Sequence, residues 1–200
     1  MARQTGVFLI GAALTLSSCS MILGPSTTDV TVIGVNDFHG NLLPTSFRVP
    51  DPADRTKTLT VQAGGVEAIG GVLADARRAN PNTVFVGVGD MTGASPLISA
   101  LLRDEPTIAA LNGLGMAVNV VGNHEFDKGA VDLTGRVSDR ADFPYLAANV
   151  FKDGQPLLPG YAVFEVDGVR VGVIGAVTQQ TPTLVSKEGI QGIEFRDPVT

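Results

Sequence analysis

Three short apolar runs, each followed at once by polar residues, constrain the fold of this chain more than any other feature. The runs occupy residues 30–35, 83–88 and 116–121, and all are rich in β-branched side chains. Their length and composition are typical of buried strands. Residues 64–79 carry apolar side chains at helical spacing and two arginines in the last turn, which predicts a helix with one buried face. Strands that alternate with helices favour an α/β fold with a largely parallel sheet.

The rest of the chain extends this outline. We expect two short helices at residues 96–102 and 106–114, followed by a helical stretch at residues 128–140. A fourth strand is expected at residues 143–150, and a hairpin closed by Asp-Gly at residues 161–177. Residues 44–60 contain three prolines and several charges and are predicted to form a loop. The last four residues are Asp197-Pro198-Val199-Thr200, and an aspartate followed by proline is typical of a helix start. We therefore expect the domain to continue beyond Thr200.

The first nineteen residues have the pattern of an export signal. Arg3 supplies a positive charge, an apolar stretch follows at residues 7–16, and Leu-Ser-Ser leads to Cys19, the only cysteine of the chain. This apolar stretch is shorter than the ~20 residues that span a bilayer as a helix. The pattern resembles a bacterial lipobox, in which the cysteine carries the lipid. We expect a lipoprotein signal at residues 1–19, a tether at residues 20–29 and an exported, lipid-anchored protein in the cell envelope; an ordinary signal peptide with a stray cysteine is the alternative.

Composition limits the classes of partner. Hydrophobic residues make up 44% of the chain and charged residues 17%, with a formal net charge of −6, values that indicate a globular protein. No basic patch is visible, so a nucleic-acid polymer is not an expected partner. An acidic protein that binds phosphate needs a local source of positive charge, which metal ions can provide.

The polar residues that follow the three apolar runs suit a metal site. Asp37 and His39 follow the first run, Asp90 the second, and Asn123 with His124 the third. If the strands are parallel, these side chains meet at one edge of the sheet, and an extended backbone would point Asp37 and His39 the same way. Oxygen and imidazole donors without thiolate suit a divalent ion, and a central carboxylate such as Asp90 can bridge two ions. Taken singly, each aspartate could instead cap a helix, His39 could be a surface histidine and Asn123 a left-handed turn residue.

The third of these segments also contains a possible catalytic pair. Asp127 lies three residues after His124, a spacing that brings the two side chains together if a helix begins there. A carboxylate partner orients the imidazole and stabilises its charged form. We therefore expect His124 to face the substrate rather than a metal ion. Glu125 is expected to have a structural role, and Ser95 to cap the helix that follows it.

These segments resemble the calcineurin-like metallophosphoesterases, and more narrowly the bacterial exported 5′-nucleotidase and 2′,3′-cyclic-nucleotide phosphodiesterase family. The resemblance covers nearly all of residues 30–200, and its most specific motifs are Asn36-Asp37-Phe38-His39-Gly40, Gly89-Asp90 and Gly122-Asn123-His124-Glu125-Phe126-Asp127. It implies a four-layer α/β/β/α metallophosphatase sandwich, incomplete here, of which residues 30–200 form the amino-terminal part.

The resemblance also implies the roles of the polar residues. Asp37, His39 and Asp90 would hold one divalent ion, and Asp90 with Asn123 the other, while the identity of the ions (Mn, Zn, Fe, Mg or similar) stays open. His124 and Asp127 would be catalytic, and Asn123 and His124 would also contact the substrate. Two further histidine ligands, another polar ligand and a carboxyl-terminal nucleotide-binding domain would lie downstream, since no histidine follows His124 in this chain.

We therefore expect a metal-dependent phosphoester hydrolase that acts on nucleotides by attack of a metal-activated water on phosphorus. Two alternatives stay open. One is a related dinuclear-metal hydrolase of sugar nucleotides, other phosphoesters or sulfur compounds, and the other is a surface lipoprotein that keeps the fold without catalysis. With an incomplete set of ligands for the second ion, the 200 residues alone are expected to have little activity.

Overall fold

A computed structural model describes residues 27–199. The expected signal segment, Cys19, the first part of the tether and Thr200 lie outside the described residues. Over residues 27–199, no helix combines the length and the apolar character that a membrane span needs.

The described residues form eleven strands and five α-helical segments. The strands are β1 (Thr31–Val35), β2 (Thr45–Pro50), β3 (Thr58–Ala63), β4 (Thr83–Val88), β5 (Met116–Val120), β6 (Tyr145–Leu146), β7 (Val150–Lys152), β8 (Gln155–Pro156), β9 (Tyr161–Val166), β10 (Val169–Ile174) and β11 (Ile193–Phe195). The helices are α1 (Gly65–Ala79), α2 (Leu97–Ala100), α3 (Glu105–Gly113), α4 (Ala130–Asp132) and α5 (Ser138–Arg140). Single 3₁₀ turns occur at His124–Phe126, Thr181–Thr183 and Lys187–Ile190.

The central sheet confirms the predicted parallel arrangement. Its strands lie in the order β1-β4-β5-β6 and all neighbours are parallel. Val35 pairs with Gly87, and Gly87 pairs with Asn119, so the carboxyl ends of the three apolar strands lie side by side. The polar residues that follow these strands therefore emerge at one edge of the sheet.

The two faces of this sheet pack against different layers. On one face, Phe85 belongs to a core that also contains Leu73 of α1 and Ile108 of α3, all 1% exposed. On the other face, Val84 and Val86 pack with residues of the β9–β10 hairpin. Each such fully buried side chain contributes roughly 1.5–3 kcal/mol. The resulting helix, sheet, hairpin order is an incomplete form of the expected α/β/β/α sandwich.

The segment that was predicted to be a loop is instead a hairpin. β2 and β3 pair antiparallel from Thr45 with Ala63 to Pro50 with Thr58. The prolines do not interrupt this ladder, because Pro50 is the last residue of its strand and Pro52 lies in the connection. Proline is tolerated at such positions because no ladder hydrogen bond needs its nitrogen. Prolines at the end of a strand and in its connection therefore do not exclude a hairpin.

The fourth strand is much shorter than predicted. Only Tyr145 and Leu146 join β5. The next two N–H groups donate to other segments, that of Ala147 to the carbonyl of Pro159 at 2.9 Å and that of Ala148 to the carbonyl of Gly175 at 2.7 Å. These bonds lead the chain away from the sheet, and β7 then pairs with β11 in a separate sheet.

The remaining elements agree more closely with those predicted from the sequence. The hairpin strands β9 and β10 are joined by Asp167 and Gly168, both with positive φ (49° and 77°), as a tight two-residue turn requires. The helical stretch exists at residues 130–140, although a π-helical segment, Leu133–Val137, interrupts it. The expected cap at Ser95 is wrong, because α2 has Pro96 at its N-cap and no side-chain capping bond.

Candidate metal and catalytic site

The loops after β1 and β4 run side by side beyond the sheet. The N–H of Asp37 donates to the carbonyl of Gly89 at 3.0 Å, and the N–H of His39 donates to the carbonyl of Asp90 at 2.9 Å. The pairing of the two strands thus continues into their loops. These bonds bring the first two polar segments to the same place.

The backbone of these loops is not extended, contrary to the sequence-based expectation for Asp37 and His39. Both residues lie in the left-handed region, with φ of 52° and 46°, and Asp90 does too, with φ of 57°. This region is uncommon outside glycine, although aspartate and histidine tolerate it better than most residues. Three non-glycine residues in this conformation at one sheet edge are a concentration of local strain, which is typical of functional sites.

Three donors gather at this edge. Side-chain ligand atoms of Asp37, His39 and Asp90 all lie within 4.8 Å of one another. Nδ1 of His39 donates to the carbonyl oxygen of Gly93 at 2.9 Å, because a carbonyl can only accept. Nε2 is then available to coordinate a metal ion, and it lies 3.6 Å from a carboxylate oxygen of Asp37. Two carboxylates and an imidazole that is oriented by a carbonyl fit a hard or borderline divalent ion.

His124 and Asp127 form the pair that their spacing predicts. Nδ1 of His124 lies 2.9 Å from Oδ2 of Asp127, across the 3₁₀ turn His124–Phe126. The N–H of Ala94 donates to the same carboxylate oxygen at 3.2 Å. Partial burial opposes the charged imidazole, but the bond to Asp127 and the nearby carboxylates of Asp90 and Glu125 outweigh it and raise the pKa of His124. The ring of His124 lies edge-on to that of His39, with centroids 4.9 Å apart, so the pair is adjacent to the cluster of donors.

Asn123 precedes this turn. Its backbone is right-handed (φ −72°, ψ −33°), and its side chain makes no capping hydrogen bond to the turn. The alternative of a left-handed turn residue is therefore wrong. The next N–H, that of His124, donates to Oδ1 of Asp90 at 2.8 Å, which holds the Asn123–His124 peptide against the second loop.

Glu125 is buried, being 5% exposed. Its carboxylate accepts backbone hydrogen bonds from Gly122 at 2.7 Å, Met91 at 2.8 Å and Asp90 at 2.9 Å. Burial raises the pKa of Glu125, although the backbone donors favour its ionised form. A fourth backbone bond comes from the N–H of Thr92 at 3.3 Å, and these contacts support the structural role expected from the sequence. What sequence reasoning missed is that these contacts join two separate loops, and no local pattern signals this.

Gly93 is a second residue whose contribution sequence reasoning missed. Besides accepting the His39 bond, it has a φ of +84°, and a Cβ there would lie 2.5 Å from the carbonyl oxygen of His124 and 2.6 Å from Oδ2 of Asp127. Gly122 is similarly confined, since its Cβ would lie 2.2 Å from Oδ1 of Asp90. The glycines permit the close approach of the loops.

Comparison with known proteins gives relatives over most of the chain, although no protein-family profile matches it. The chain is 34% identical over 182 residues to the endonuclease YhcR of Bacillus subtilis, covering 84% of this chain and 15% of that protein. It is 34% identical over 167 residues to an uncharacterized protein from the pqq-V 5′ region of Acinetobacter calcoaceticus, covering 72% and 82% respectively. With the 5′-nucleotidase of Vibrio vulnificus it shares 29% identity over 175 residues, covering 86% and 30%. The chain thus spans less than a third of the nucleotidase and a smaller part of YhcR.

Solved structures of related proteins share the fold of this chain. The NAD nucleotidase NadN of Haemophilus influenzae matches with a TM-score of 0.71 and 26% identity, over 85% of this chain and 30% of that one. The calcineurin-like phosphoesterase YfkN of Bacillus subtilis matches with a TM-score of 0.69 and 26% identity, over 85% and 55%. The fold is therefore that of the amino-terminal domain of calcineurin-like phosphoesterases. More narrowly, the chain belongs to the metallophosphoesterase/5′-nucleotidase family.

Proposed function

We propose that this chain forms the metal-binding and catalytic part of a hydrolase that cleaves phosphoester bonds of nucleotides. The observation that carries the proposal is the cluster of Asp37, His39 and Asp90, with ligand atoms within 4.8 Å of one another, beside the hydrogen-bonded pair His124 and Asp127. Donors for a divalent ion and an acid–base pair at one sheet edge are the parts that metal-assisted hydrolysis needs.

Two sets of donors would hold the ions. Asp37, His39 and Asp90 would bind the first, and Asp90 with Asn123 would contribute to the second. When bound, divalent ions supply positive charge for the phosphoryl oxygens and lower the pKa of a water. Such charge is needed locally, since the chain has a formal net charge of −6. Two protein donors are too few to enclose an ion, so we expect the second ion to bind more weakly to these 200 residues.

His124 would act on the substrate. Its Nδ1 is engaged by Asp127, which leaves Nε2 to donate a hydrogen bond to a phosphoryl oxygen or a proton to the leaving oxygen. Despite its partial burial, the bond to Asp127 raises the pKa of His124, which favours the charged, donating form of the ring. Asp127 would orient the ring and stabilise that charge, and Asn123 would contact the substrate beside it.

Nucleotides are the substrate class that the relatives support. The Vibrio relative is named a 5′-nucleotidase, and the Haemophilus structure is of an NAD nucleotidase. The test uses the full-length mature protein and measures release of phosphate or nucleoside from a panel of mononucleotides, a dinucleotide and single-stranded DNA, after chelation and again after adding Mn²⁺ or Zn²⁺. We expect ion-dependent cleavage of mononucleotides that Asp90→Asn and His124→Asn each abolish.

The outcomes of this test distinguish the metal-dependent mechanism, the substrate class and the strength of the second metal site. Activity that survives complete removal of metal contradicts the metal-dependent mechanism. Cleavage of DNA without cleavage of mononucleotides assigns the site to a polymer substrate. Binding of two ions with normal turnover by the 200 residues alone would contradict the expected weakness of the second site.

We also propose that the protein is exported and anchored by lipid at Cys19, on the strength of the sequence pattern before it. The test is mass spectrometry of the mature amino terminus and fractionation of cells that express the wild type and Cys19→Ala. A lipid-modified cysteine in the membrane fraction, lost in the variant, is expected. An unmodified terminus after cleavage elsewhere would favour an ordinary signal peptide.

A further inference from the structure

Glu125 connects the loops after β4 and β5, which carry two of the four proposed ligands, Asp90 and Asn123. We propose that Glu125 is a positioning residue for the metal site: it holds the Asp90 loop and the Asn123–His124 turn at the separation that ion binding requires. This inference rests on the metal site proposed above. It assigns to Glu125 a role in ion affinity, beyond a general contribution to the fold.

The contacts of its two oxygens are divided between the loops. Oε2 accepts the N–H of Asp90 at 2.9 Å and the N–H of Gly122 at 2.7 Å. One oxygen therefore bridges the loop after β4 and the loop after β5. Oε1 accepts the N–H of Met91 at 2.8 Å and that of Thr92 at 3.3 Å, so the loop after β4 wraps around the carboxylate.

A reciprocal bond completes the connection. The N–H of His124 donates to Oδ1 of Asp90 at 2.8 Å. Each loop thus presents a carboxylate to backbone N–H groups of the other. The Asp90 carboxylate is aimed from a left-handed backbone with φ of 57°, a conformation that persists only when its surroundings enforce it. Four backbone bonds to Glu125, three of them from residues 90–92, supply that enforcement.

The chemistry of the bridge requires a carboxylate of this length. Glutamine has the same shape but replaces one oxygen with an NH₂ group, which cannot accept a hydrogen bond. If the NH₂ takes the place of Oε2, both Asp90 and Gly122 lose their acceptor, and if it replaces Oε1, Met91 and Thr92 lose theirs. Aspartate keeps the charge but is shorter by one methylene group, so it cannot reach both loops from the same turn.

The experiment measures ion affinity rather than turnover. Mn²⁺ binding to the 200-residue chain is followed by the EPR signal of free Mn²⁺, for the wild type, Glu125→Gln and Glu125→Asp. Circular dichroism and urea unfolding of the metal-free proteins report the fold. We expect both variants to fold and to bind Mn²⁺ about 10–100-fold more weakly, as is typical when a group that orients metal ligands is lost.

Asn149→Asp provides a matched control. Asn149 is also buried, and its amide donates to the carbonyls of Val177 and Arg196, at 2.7 Å each. The substitution breaks buried hydrogen bonds in a segment that contributes none of the proposed ligands. It should lower the free energy of unfolding and leave the Mn²⁺ dissociation constant within about twofold of the wild type, since independent sites do not couple.

The outcomes distinguish this inference from the metal site itself. A wild type that binds no Mn²⁺ overturns both. A wild type that binds Mn²⁺, with a Glu125→Gln or Glu125→Asp variant of equal affinity, overturns only the role of Glu125. If neither variant folds, or if Asn149→Asp weakens Mn²⁺ binding as much as they do, Glu125 supports the fold in general and the positioning role is wrong.

Discussion

Replacing Gly93 with alanine should damage both the stability and the activity of this protein. The φ of Gly93 is +84°, which an L-residue adopts at a cost of about 1–2 kcal/mol. The added Cβ would lie 2.5 Å from the carbonyl oxygen of His124 and has to retreat by about 0.9 Å to reach the 3.4 Å of an ordinary van der Waals contact. Crowding of this kind in a packed region costs typically 1–3 kcal/mol. Together these costs should lower the free energy of unfolding of Gly93→Ala by about 2–5 kcal/mol.

The assay is urea unfolding followed by circular dichroism, with Gly71→Ala as the control. Gly71 lies inside α1, and a Cβ there would meet no atom within 4 Å. Alanine at a helical position should stabilise the protein by about 0.5–1 kcal/mol. The two glycine variants are thus expected to move in opposite directions, and equal stability of both would refute the reasoning.

Activity is the second readout for Gly93→Ala. The same Cβ would lie 2.6 Å from Oδ2 of Asp127, the atom that binds Nδ1 of His124. A displacement approaching 1 Å in a catalytic group can reduce turnover by about 10²-fold. A variant that is destabilised but turns over nucleotides at the wild-type rate would show that Asp127 does not need this position.

Two further predictions concern single charged groups. Asp127→Asn removes the charge that supports the His124 imidazolium, so kcat should fall roughly 10–100-fold, as expected for loss of a charge-assisted bond, while Mn²⁺ affinity is unchanged. The second prediction concerns Asp104, whose carboxylate is 2.6 Å from Nζ of Lys128. Burial alone would raise the pKa of Asp104, but the hydrogen bonds from Lys128 and Ser99 and the charge of Lys128 lower it below 3.8. The stabilisation is therefore complete above the unfolded pKa and is lost as pH falls through the folded one, so Lys128→Met should be most destabilising near neutral pH.

These two predictions are checked separately. Steady-state kinetics and Mn²⁺ titration decide the first, and equal loss of turnover and of Mn²⁺ affinity in Asp127→Asn would contradict a role confined to His124. Urea unfolding of the wild type and Lys128→Met between about pH 3 and pH 7 decides the second. A difference in unfolding free energy that stays constant over this range would show that Asp104 does not depend on Lys128.

Local patterns in the sequence were enough to predict the structural features that depend on residues close together in the chain. The three apolar runs become strands because their β-branched side chains favour an extended backbone, although β1 is less buried than predicted, with Val32 55% exposed. The hairpin turn at Asp167 and Gly168 forms because two residues that tolerate positive φ stand between β-branched strands. The bond between His124 and Asp127 spans three residues, so one helical turn suffices to make it.

Features that join distant segments needed the tertiary structure. The left-handed backbone of Asp37, His39 and Asp90 arises from hydrogen bonds between loops that are about fifty residues apart in sequence, as between His39 and Asp90. The exit of the chain after Leu146 likewise depends on carbonyls contributed by Pro159 and Gly175.

Glu125 illustrates the difference most clearly. The sequence indicates a structural role for this residue, but the N–H groups that it binds belong to residues 90–92 as well as to Gly122. The sequence by itself determined which chemical groups this protein brings to the end of its sheet. Only the folded chain decided how those groups are held, because many of the hydrogen bonds that orient them join loops that are distant in sequence.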